Sequence, residues 1–350
     1  MDTALRAAIF NGPNDITVGE RPDAKITESS DAIVRVVRGC VCGSDLWYYR
    51  GINAHKVGSI GHEYIGIVEA VGGEVTSLMA GDLVIAPFTF SDGTCPACQA
   101  GFQSNCEHGG GFGDGEHDGG QGQYVRAPYA DATLVKVPGE DFTDEQLASF
   151  TALSDVMCTG YHAAVSARVE AGQTVAVVGD GAVGLSGVLA AQDLGAARII
   201  ALSRNLARQA VAREFGATDI IDQRGQDAID TVLKLTDGVG VDAALECVGT
   251  DQSIETAVGI TRAGGMIGAV GVPLYVKFKY QDIFWKNIGI RGGVAPARRY
   301  IPELLDDVLA GGINPGRVFD FETDLDHVPE AYAAMDERRA IKSLLRISDI

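Results

Sequence analysis

The chain has 350 residues, of which 46% are hydrophobic, and this is too long for one ordinary hydrophobic core, so we expect two domains. Its net charge of -19 and isoelectric point near 4.6 argue against nucleic acids and anionic membranes as partners, because polyanions would be repelled. Neither an apolar leader nor an apolar run long enough to span a bilayer is found, so we expect a cytoplasmic protein.

Residues 1–90 have the pattern of an antiparallel, barrel-like β domain. Apolar and polar residues alternate in 32–37, and further strand patterns follow in 65–71 and 82–86. Turn signals such as Asn11-Gly12-Pro13 separate these segments.

One segment of this domain, between Cys42 and Glu63, carries a thiol, a hydroxyl, an imidazole and a carboxylate. The first three belong to Cys42, Ser44 and His62. Cysteine and histidine are ligands that zinc prefers, so the segment is a candidate metal site. The alternative is a buried cysteine and a capping histidine in an ordinary β-rich domain. For any of these residues alone that alternative is stronger, so the rest of the chain has to decide.

A second candidate metal site lies at residues 92–106. Cys95 and Cys98 form a CxxC pair, Cys106 follows, and Asp92 precedes Cys95 by three residues. This spacing lets three sulfurs and one oxygen converge on a tetrahedral ion, so we predict a structural zinc. The alternative is three reduced surface thiols. For a chain without an export leader, metal ligation is also a better explanation than a disulfide framework.

A helical region follows the β domain. Thr143 to Gln146 has the pattern of a capping box, and 148–169 has helical spacing. Asp155 lies on a largely apolar face of this predicted helix. A charged group there needs a partner, such as a metal ion.

The second half of the chain alternates strands and helices, as a doubly wound parallel sheet does. A buried strand at 174–178 leads into Gly179-Asp-Gly181-Ala-Val-Gly184 and then into a helix, which is the context that a dinucleotide-binding turn requires. These glycines let the backbone approach a pyrophosphate at the helix N-terminus. Further strands are predicted at 198–202, 219–221, 241–249, 265–273, 288–293 and 342–347, and further helices at 301–310 and 329–337.

The cofactor preference depends on the end of the second of these strands. An NAD site places Asp or Glu there for the ribose 2′-hydroxyl. This chain has Ser203 and Arg204, with Arg208 one helical turn later. Guanidinium groups in place of a carboxylate favour a 2′-phosphate, so we predict NADP(H) rather than NAD(H). The alternative is that both arginines are solvated helix residues.

In this order, these features resemble the zinc-dependent medium-chain dehydrogenase/reductase family of the alcohol dehydrogenase type. The resemblance covers essentially the whole chain and rests on Cys42-Gly-Ser-Asp45, Gly61-His-Glu63, the 92–106 segment, Asp155 before Thr159-Gly160, and Gly179 to Gly184. It implies an α/β protein with a GroES-like β-barrel catalytic domain at 1–156, a Rossmann domain at 157–289, and a C-terminal segment at 290–350 that returns to the catalytic domain.

The resemblance also implies roles for individual residues. Cys42, His62 and Asp155 would hold a catalytic zinc, with Glu63 as a nearby or exchangeable ligand. Ser44 would bond the substrate oxygen and begin the proton relay. The expected cofactor site includes the glycine-rich turn and the residues at the ribose end, Ser203, Arg204 and Arg208. It also includes six residues of the dinucleotide domain: Thr159, Ala182, Val183, Val248, Val270 and Val272. Four aromatic residues are candidates for a substrate pocket, or are ordinary core residues: Trp47, Phe88, Phe112 and Trp285.

The chain departs from the family pattern at three places. Asp92 replaces the first cysteine of the structural zinc site, which predicts a weaker site or an altered metal preference. Trp47 stands where many members carry the relay histidine, which leaves the proton exit route open. Ser203 and Arg204 replace the acidic residue, as in members that use NADP.

The predicted function is a zinc alcohol dehydrogenase or carbonyl reductase acting on a small alcohol, aldehyde or ketone with NADP(H). A second hypothesis is a zinc polyol or sugar dehydrogenase, which Glu63, Glu116 and His117 keep open, although a solvated position in a mobile loop is expected for His117. A third, from another class, is a catalytically silent protein that binds a nucleotide or a partner protein. The joint presence of the expected zinc ligands and Ser44 argues against it. Chains of this length are common among bacterial tetramers of the family, and dimers occur, so we expect a homo-oligomer.

Overall fold

The computed structural model describes residues 4–273 and 276–350. The chain divides into two compact units. The first comprises Met1–Asp155 with Pro296–Ile350, and the second comprises Val156–Ala295. None of the described helices is both long enough and apolar enough to cross a membrane.

The described strands are β1 (Ala4–Gly12), β2 (Asp15–Pro22), β3 (Ala32–Cys40), β4 (Gly58–Ser59), β5 (Tyr64–Val71), β6 (Leu83–Ala86), β7 (Thr89–Phe90), β8 (Gly110–Gly111), β9 (Tyr124–Ala127), β10 (Val135–Lys136), β11 (Thr174–Val178), β12 (Arg198–Leu202), β13 (Asp219–Ile221), β14 (Val241–Glu246), β15 (Thr261–Ala269), β16 (Gly289–Gly292), β17 (Phe319–Asp324) and β18 (Lys342–Arg346). The described α-helices are α1 (Asp45–Tyr49), α2 (Pro96–Gln99), α3 (Ala130–Thr133), α4 (Asp144–Leu153), α5 (Val156–Ser166), α6 (Ala182–Asp193), α7 (Leu206–Glu214), α8 (Gly225–Leu235), α9 (Asp251–Ile260), α10 (Tyr280–Lys286), α11 (Ala297–Leu309) and α12 (Val328–Asp336). Short 3-10 turns cover Gln103–Asn105, Pro315–Val318 and Leu325–His327.

The first unit is built on a mostly antiparallel sheet with the strand order β10-β6-β5-β3-β18-β17, and β9 also pairs with β3. A smaller sheet has the order β2-β1-β4. The central strand β3 pairs with other strands on both edges, and its residues are buried along almost its whole length, so both of its faces are covered. Cys42 therefore follows a strand that is paired on both edges. His62 lies in the short link between β4 and β5.

The C-terminal part of the first unit contains a strand that the sequence analysis missed. β17 pairs in parallel with β18, which in turn pairs with β3. Its burial alternates between half-buried and exposed residues, so one face contributes little to the core. The acidic residues in it gave the segment a polar pattern that does not distinguish an edge strand from a loop.

The second unit contains one parallel sheet with the strand order β13-β12-β11-β14-β15-β16. All of its recorded strand pairs are parallel. The strand order reverses between β11 and β14, which is where doubly wound sheets bind a ligand at the carboxyl ends of the strands. The glycine-rich turn follows β11 directly, so it lies at this position.

The helix predicted over 148–169 is in fact two helices, α4 and α5, which are interrupted at Ser154 and Asp155. The capping box at Thr143 is confirmed at the start of α4. The interruption has a physical cause, because Ser154 Oγ accepts the Tyr64 N–H at 3.1 Å and hydrogen-bonds the Ala86 carbonyl oxygen. These bonds tie the helix end to two strands of the first unit. Asp155 consequently lies in a non-helical link instead of on a helix face.

Candidate functional site

Four side chains of the first unit gather around one point. The ligand atoms of Cys42, His62, Glu63 and Asp155 all lie within 4.8 Å of one another. His62 Nε2 lies 3.4 Å from Asp155 Oδ2, and Cys42 Sγ lies 3.6 Å from the same oxygen. Ligands at about 2.0–2.3 Å from a tetrahedral zinc ion are roughly 3.3–3.8 Å apart. Cys42, His62 and Asp155 therefore fit three corners of such an ion.

Each of these three residues lies where a regular element ends. Cys42 follows β3, His62 follows β4, and Asp155 occupies the link between α4 and α5. Gly61, directly before His62, has φ +89°, a conformation that other residues rarely adopt. A Cβ atom there would lie 2.4 Å from Gln121 Cγ. Glycine is thus required for His62 to reach this place.

The electrostatics of the cluster are those of a cation site. Burial raises the pKa of Cys42 and of Glu63. Burial also disfavours a charged His62, yet Asp45, Cys42 and Asp155 together raise its pKa well above the ordinary value. Acidic groups crowded in a buried place repel one another, and a divalent cation removes that repulsion. The donor chemistry therefore fits zinc.

Glu63 differs from the other three residues because a cation of the chain already binds it. Lys342 Nζ lies 2.7 Å from its Oε2 and 3.0 Å from its Oε1. The Cys40 thiol donates to Oε2 at 2.5 Å. Oε1 lies 3.8 Å from His62 Nε2. Exchangeable ligation by Glu63 stays a prediction, and it has to compete with Lys342.

Asp45 is a member of the site to which the sequence analysis gave no role. Its Oδ1 lies 3.4 Å from His62 Nδ1, and its Oδ2 accepts the Cys42 N–H at 3.0 Å. Only 1% of its surface is exposed. A carboxylate on the far nitrogen of a ligating histidine fixes the ring orientation. Its place within the motif Cys42-Gly-Ser-Asp45, three residues after a candidate metal ligand, could have indicated this role.

Ser44 and two of the candidate pocket aromatics belong to the same unit as this cluster. Ser44 is half-buried directly before α1, and no described residue hydrogen-bonds its hydroxyl group. Phe88 is half-buried, and its ring lies 6.3 Å from the His62 ring in an edge-on arrangement. Trp47 is half-buried within α1. Phe88 is thus placed beside a ligand at His62, and the role of Ser44 in the proton relay stays a prediction.

The other two candidate pocket aromatics are placed differently. Phe112 is buried and packs edge-on against Tyr64 and Phe90, which fits the alternative of an ordinary core residue. Trp285 lies on α10 in the second unit with 79% of its surface exposed, so it is no core residue. A pocket role for Phe112 loses support from this packing.

The second predicted metal site also assembles. The ligand atoms of Asp92, Cys95, Cys98 and Cys106 lie within 4.8 Å of one another. Cys95 Sγ and Cys106 Sγ are 3.8 Å apart. Two sulfurs at about 2.3 Å from a tetrahedral zinc ion are separated by roughly 3.8 Å, whereas a disulfide would need about 2.05 Å. The three thiols are free cysteines and fit a zinc ion.

Asp92 makes several hydrogen bonds in addition to its place among the candidate ligands. Its Oδ1 accepts the N–H groups of Thr94 and Cys95 at 2.8 and 3.0 Å, and its Oδ2 lies 2.6 Å from His108 Nδ1. The hydrogen bond from His108 contributes most to lowering the pKa of Asp92. Burial and the neighbouring thiols raise the pKa of Cys98 to about 12. A metal at this place would therefore share the Asp92 carboxylate with His108.

The glycine-rich turn of the second unit has the geometry that a pyrophosphate needs. Gly184 packs on the turn, since a Cβ atom there would lie 2.1 Å from the Gly179 carbonyl oxygen. A Cβ atom at Gly181 would meet nothing within 4 Å, so the backbone is open at that position. Gly181 is the N-cap residue of α6. A phosphate group fits the N-terminus of such a helix.

The residues expected at the ribose end are arranged around Asp180. Ser203 Oγ lies 2.9 Å from Asp180 Oδ2, and Arg208 Nη1 lies 3.1 Å from the Asp180 carbonyl oxygen and 3.4 Å from Oδ1. Arg208 is buried, whereas Arg204 is exposed. Arg208 is thus engaged within the chain and is not the solvated residue of the alternative interpretation.

The remaining expected cofactor residues lie in or after elements of the same unit. Thr159 is half-buried in α5, and Ala182 and Val183 are half-buried in the first turn of α6. Val248 follows β14, and Val270 and Val272 follow β15. Carboxyl ends of neighbouring parallel strands share one edge of the sheet, where a dinucleotide binds.

Two family models match the chain. The alcohol dehydrogenase GroES-like domain matches residues 28–139, and the zinc-binding dehydrogenase model matches residues 182–310. The chain belongs to the zinc-dependent medium-chain dehydrogenase/reductase family. This membership confirms the predicted family and fold class, a GroES-like barrel domain with a doubly wound Rossmann domain.

Relatives in this family are similar along nearly the whole chain. Zinc-type alcohol dehydrogenase B of Aspergillus flavus is 33% identical in an alignment 357 residues long that covers 99% of this chain and 82% of that protein. NADP-dependent isopropanol dehydrogenase of Clostridium beijerinckii is 33% identical in an alignment 330 residues long that covers 91% of this chain and 92% of that protein. The structure of an alcohol dehydrogenase from Thermus sp. ATN1 has a TM-score of 0.91 at 32% identity, covering 98% of this chain and 100% of that chain.

Proposed function

We propose that this protein is a zinc-dependent oxidoreductase that interconverts an alcohol and an aldehyde or ketone by hydride transfer to or from NADP(H). The observation that carries the proposal is the convergence of Cys42, His62 and Asp155 at distances that suit one ion. Three protein ligands are characteristic of a catalytic zinc, while a structural zinc has four. The named activities of the relatives agree with this reaction class.

The chain would supply the proton path and the orientation of the metal ligands. When bound, zinc supplies Lewis acidity at an open fourth position, which makes it easier for an alcohol to lose its proton. Ser44 would relay that proton, with Oγ accepting it while the hydroxyl gives its own proton onward to the next acceptor, and the hydroxyl has no competing hydrogen bond to a described residue. Asp45 holds His62 so that Nε2, and not Nδ1, points at the cluster. Phe88 would exclude water from one side of His62.

The NADP(H) preference rests on charge at the end of β12. The exposed guanidinium of Arg204 is available to a 2′-phosphate, and Ser203 lies beside it. Arg208 would also act indirectly, because its ion pair with Asp180 neutralises a carboxylate that would otherwise repel a phosphate, and its own contact with the cofactor stays a prediction. The preference for NADP(H) would therefore depend on two arginines: Arg204 attracts the 2′-phosphate, and Arg208 neutralises Asp180.

Four contacts favour the alcohol hypothesis over the polyol hypothesis. The polar side chains that left it open are engaged elsewhere, Glu63 by Lys342, Glu116 by Lys56, and His117 by Asp114. The His62 ring also has the apolar ring of Phe88 beside it, edge-on, with 6.3 Å between the ring centroids.

We also propose that the protein is a homo-oligomer. Three aromatic side chains on α10 are exposed: Tyr280 by 70%, Phe284 by 57% and Trp285 by 79%. In the described sheet, β16 is an edge strand whose second side has no partner. Exposed apolar surface and open sheet edges both favour association. Light scattering on the purified protein tests this, and a monomer at micromolar concentration would contradict it.

The function is tested by metal analysis combined with an activity panel. We expect about two zinc ions per chain, and NADPH oxidation with some aldehyde or ketone. Ser44→Ala should lower kcat by about 10²–10⁴-fold, the usual contribution of acid–base groups, while Ser44→Thr keeps a hydroxyl and most of the activity. A zinc-free protein that is inert with every carbonyl compound and with primary, secondary, aromatic and polyol alcohols would overturn the proposal.

A further inference from the structure

A line of buried polar groups runs from the metal cluster to the C-terminal helix α12. It begins at the contact between His62 and Asp45. Gln121 Nε2 donates to Asp45 Oδ2 at 3.3 Å, and the Tyr332 hydroxyl donates to Gln121 Oε1 at 3.0 Å. Asp45 and Gln121 are 1% exposed, and Tyr332 is fully buried. The line is therefore shielded from water along its length.

The orientation of the Gln121 amide is fixed by its neighbours. Its NH₂ group faces two acceptors, the Asp45 carboxylate and the Cys40 carbonyl oxygen, the latter at 3.1 Å. Its oxygen faces a hydroxyl donor, Tyr332. A flipped amide would turn its oxygen toward the carboxylate and lose these bonds. Tyr332, together with the Cys40 carbonyl oxygen, thus fixes which end of Gln121 meets Asp45.

Gln121 also contacts the backbone that carries His62. A Cβ atom on Gly61 would lie 2.4 Å from Gln121 Cγ and 2.7 Å from Cδ, so the glutamine side chain lies directly against this glycine. The adjacent Gly120 N–H donates to the Gly61 carbonyl oxygen at 2.9 Å. Gln121 therefore restrains His62 twice, through Asp45 and through the preceding peptide.

Burying an amide and a phenol is costly unless each is hydrogen-bonded, and apolar side chains would fill the same space at less risk. Tyr332 lies in a hydrophobic core cluster with Leu46 and Leu345, where a phenylalanine would suffice for packing alone. Its hydroxyl instead completes the line to His62. The Gln121 amide and the Tyr332 hydroxyl are both hydrogen-bonded, whereas Asp45 Oδ1 has no hydrogen-bond partner among the described residues and faces His62 Nδ1 at 3.4 Å. Buried polar groups that are hydrogen-bonded in this way rigidify their surroundings.

We propose that Gln121 and Tyr332 are positioning residues of the catalytic metal centre, acting through Asp45 to hold the His62 imidazole in its ligating orientation. The proposal rests on the proposed function, because it takes the cluster to be a zinc site. It assigns the C-terminal segment a part in the metal centre. Groups next to metal ligands typically change metal affinity or activity by about 10–100-fold when they are mutated.

The test is zinc release from the purified, zinc-loaded full-length protein into a chromogenic chelator. Gln121→Met preserves volume against Gly61 and removes both hydrogen-bonding ends. Tyr332→Phe removes one oxygen atom. The matched control is Tyr64→Phe, because the Tyr64 hydroxyl is buried in the same unit and bonds no described residue. Zinc at Asp92, Cys95, Cys98 and Cys106 serves as an internal reference in the same trace.

We expect Gln121→Met to speed release of the catalytic zinc by about tenfold, at the lower end of the usual range of effects. Tyr332→Phe should speed it by about threefold, because Tyr332 is one step further from the metal. The reference zinc and the Tyr64→Phe protein should behave as wild type. The double variant should be no faster than Gln121→Met, because the two residues act in series. In cobalt-substituted protein, the visible absorption bands of the catalytic site should shift in both variants, which a purely structural role would not cause.

Wild-type release rates and an unshifted cobalt spectrum in Tyr332→Phe would overturn the proposal. If Gln121→Met fails to fold, Tyr332→Phe decides alone, since it loses a single atom from a packed ring. The outcome also separates this proposal from the function. A wild type that binds no catalytic zinc refutes the function, whereas an active, zinc-loaded wild type with unaffected variants refutes only the positioning role.

Discussion

Lys342 and Glu63 form an ion pair that is sealed from solvent, with 2.7 Å between Nζ and Oε2. Their side chains are 1% and 0% exposed. The Val41 carbonyl oxygen also accepts from Lys342 Nζ, at 3.1 Å. Removing two charges from water costs several kcal/mol per ion, and their attraction offsets this only while both are present. Each residue therefore depends on the other for its burial.

Lys342→Met should lower the free energy of unfolding by about 3–5 kcal/mol, because it leaves the Glu63 carboxylate buried without its cation. Urea unfolding of the zinc-free protein measures this. The double variant Lys342→Met/Glu63→Gln removes both charges and should recover much of the loss. Equal free energies of unfolding for wild type and Lys342→Met would show that Lys342 is not needed to keep the Glu63 carboxylate buried.

Arg204→Ala should raise the Michaelis constant for NADPH by about 10–100-fold, because a charge-assisted hydrogen bond contributes about 1.5–3 kcal/mol. The Michaelis constant for NADH should stay within about twofold, since NADH lacks the phosphate. Arg213→Ala is the matched control, because Arg213 is also exposed and lies in the last turn of α7. An equal effect of Arg204→Ala on both cofactors would refute the assignment.

Arg208→Ala should weaken NADPH binding by a different route. The change uncovers the Asp180 carboxylate, whose Oδ1 lies 3.4 Å from Arg208 Nη1. The double variant Arg208→Ala/Asp180→Asn should therefore bind NADPH better than Arg208→Ala alone in a fluorescence titration. If Asp180→Asn brings no recovery, Arg208 does not act by masking Asp180.

Asp92→Cys should make the structural zinc leave more slowly. A thiolate is a softer donor than a carboxylate, and the carboxylate here is shared with His108. Chelator-driven zinc release measures the change, and the catalytic zinc should be unaffected. A wild type that holds only one zinc ion, while Asp92→Cys holds two, would show that Asp92 is not an effective ligand.

Acid should destabilise the first unit through Asp31. Burial disfavours its charge, but the Arg126 guanidinium, at 2.6 Å, and two backbone N–H groups together lower its pKa. A folded pKa below the unfolded value of about 3.9 means that the unfolded chain binds more protons. The stability that Asp31 contributes is therefore complete above about pH 4 and is lost as the pH falls through the folded pKa.

Asp31→Asn should cost about 1.5–3 kcal/mol at neutral pH, the usual value for hydrogen bonds to a charged group. Its deficit relative to wild type should shrink below about pH 4. Urea unfolding at a series of pH values measures both. A deficit that stays constant down to pH 2 would contradict the assignment.

The parts of this protein that local sequence patterns determine were predictable. β11, the glycine-rich turn and α6 follow from an apolar strand and glycines at fixed spacing. The cysteines at 95, 98 and 106 converge as their spacing indicates. The geometry of neighbouring backbone and ligand groups determines these features, so they can be predicted from the local sequence.

The long-range contacts were not predictable. Lys342 is nearly 280 residues from Glu63, and Tyr332 is 211 from Gln121. No local pattern indicates such pairs, because sheet pairing of β18 with β3 creates them. The helix break at Asp155 also depends on tertiary bonds from Ser154 to Tyr64 and Ala86. These positions need the folded core before they acquire a partner.

The central claim is that Asp155 completes a catalytic zinc site with Cys42 and His62. The most direct measurement is zinc content and activity of Asp155→Ala, with circular dichroism as a check on folding and Asp155→Cys as a ligating control. We predict that Asp155→Ala folds, loses one zinc ion per chain and has no measurable activity, while Asp155→Cys keeps that zinc. A folded Asp155→Ala protein with two zinc ions and full activity would contradict the claim.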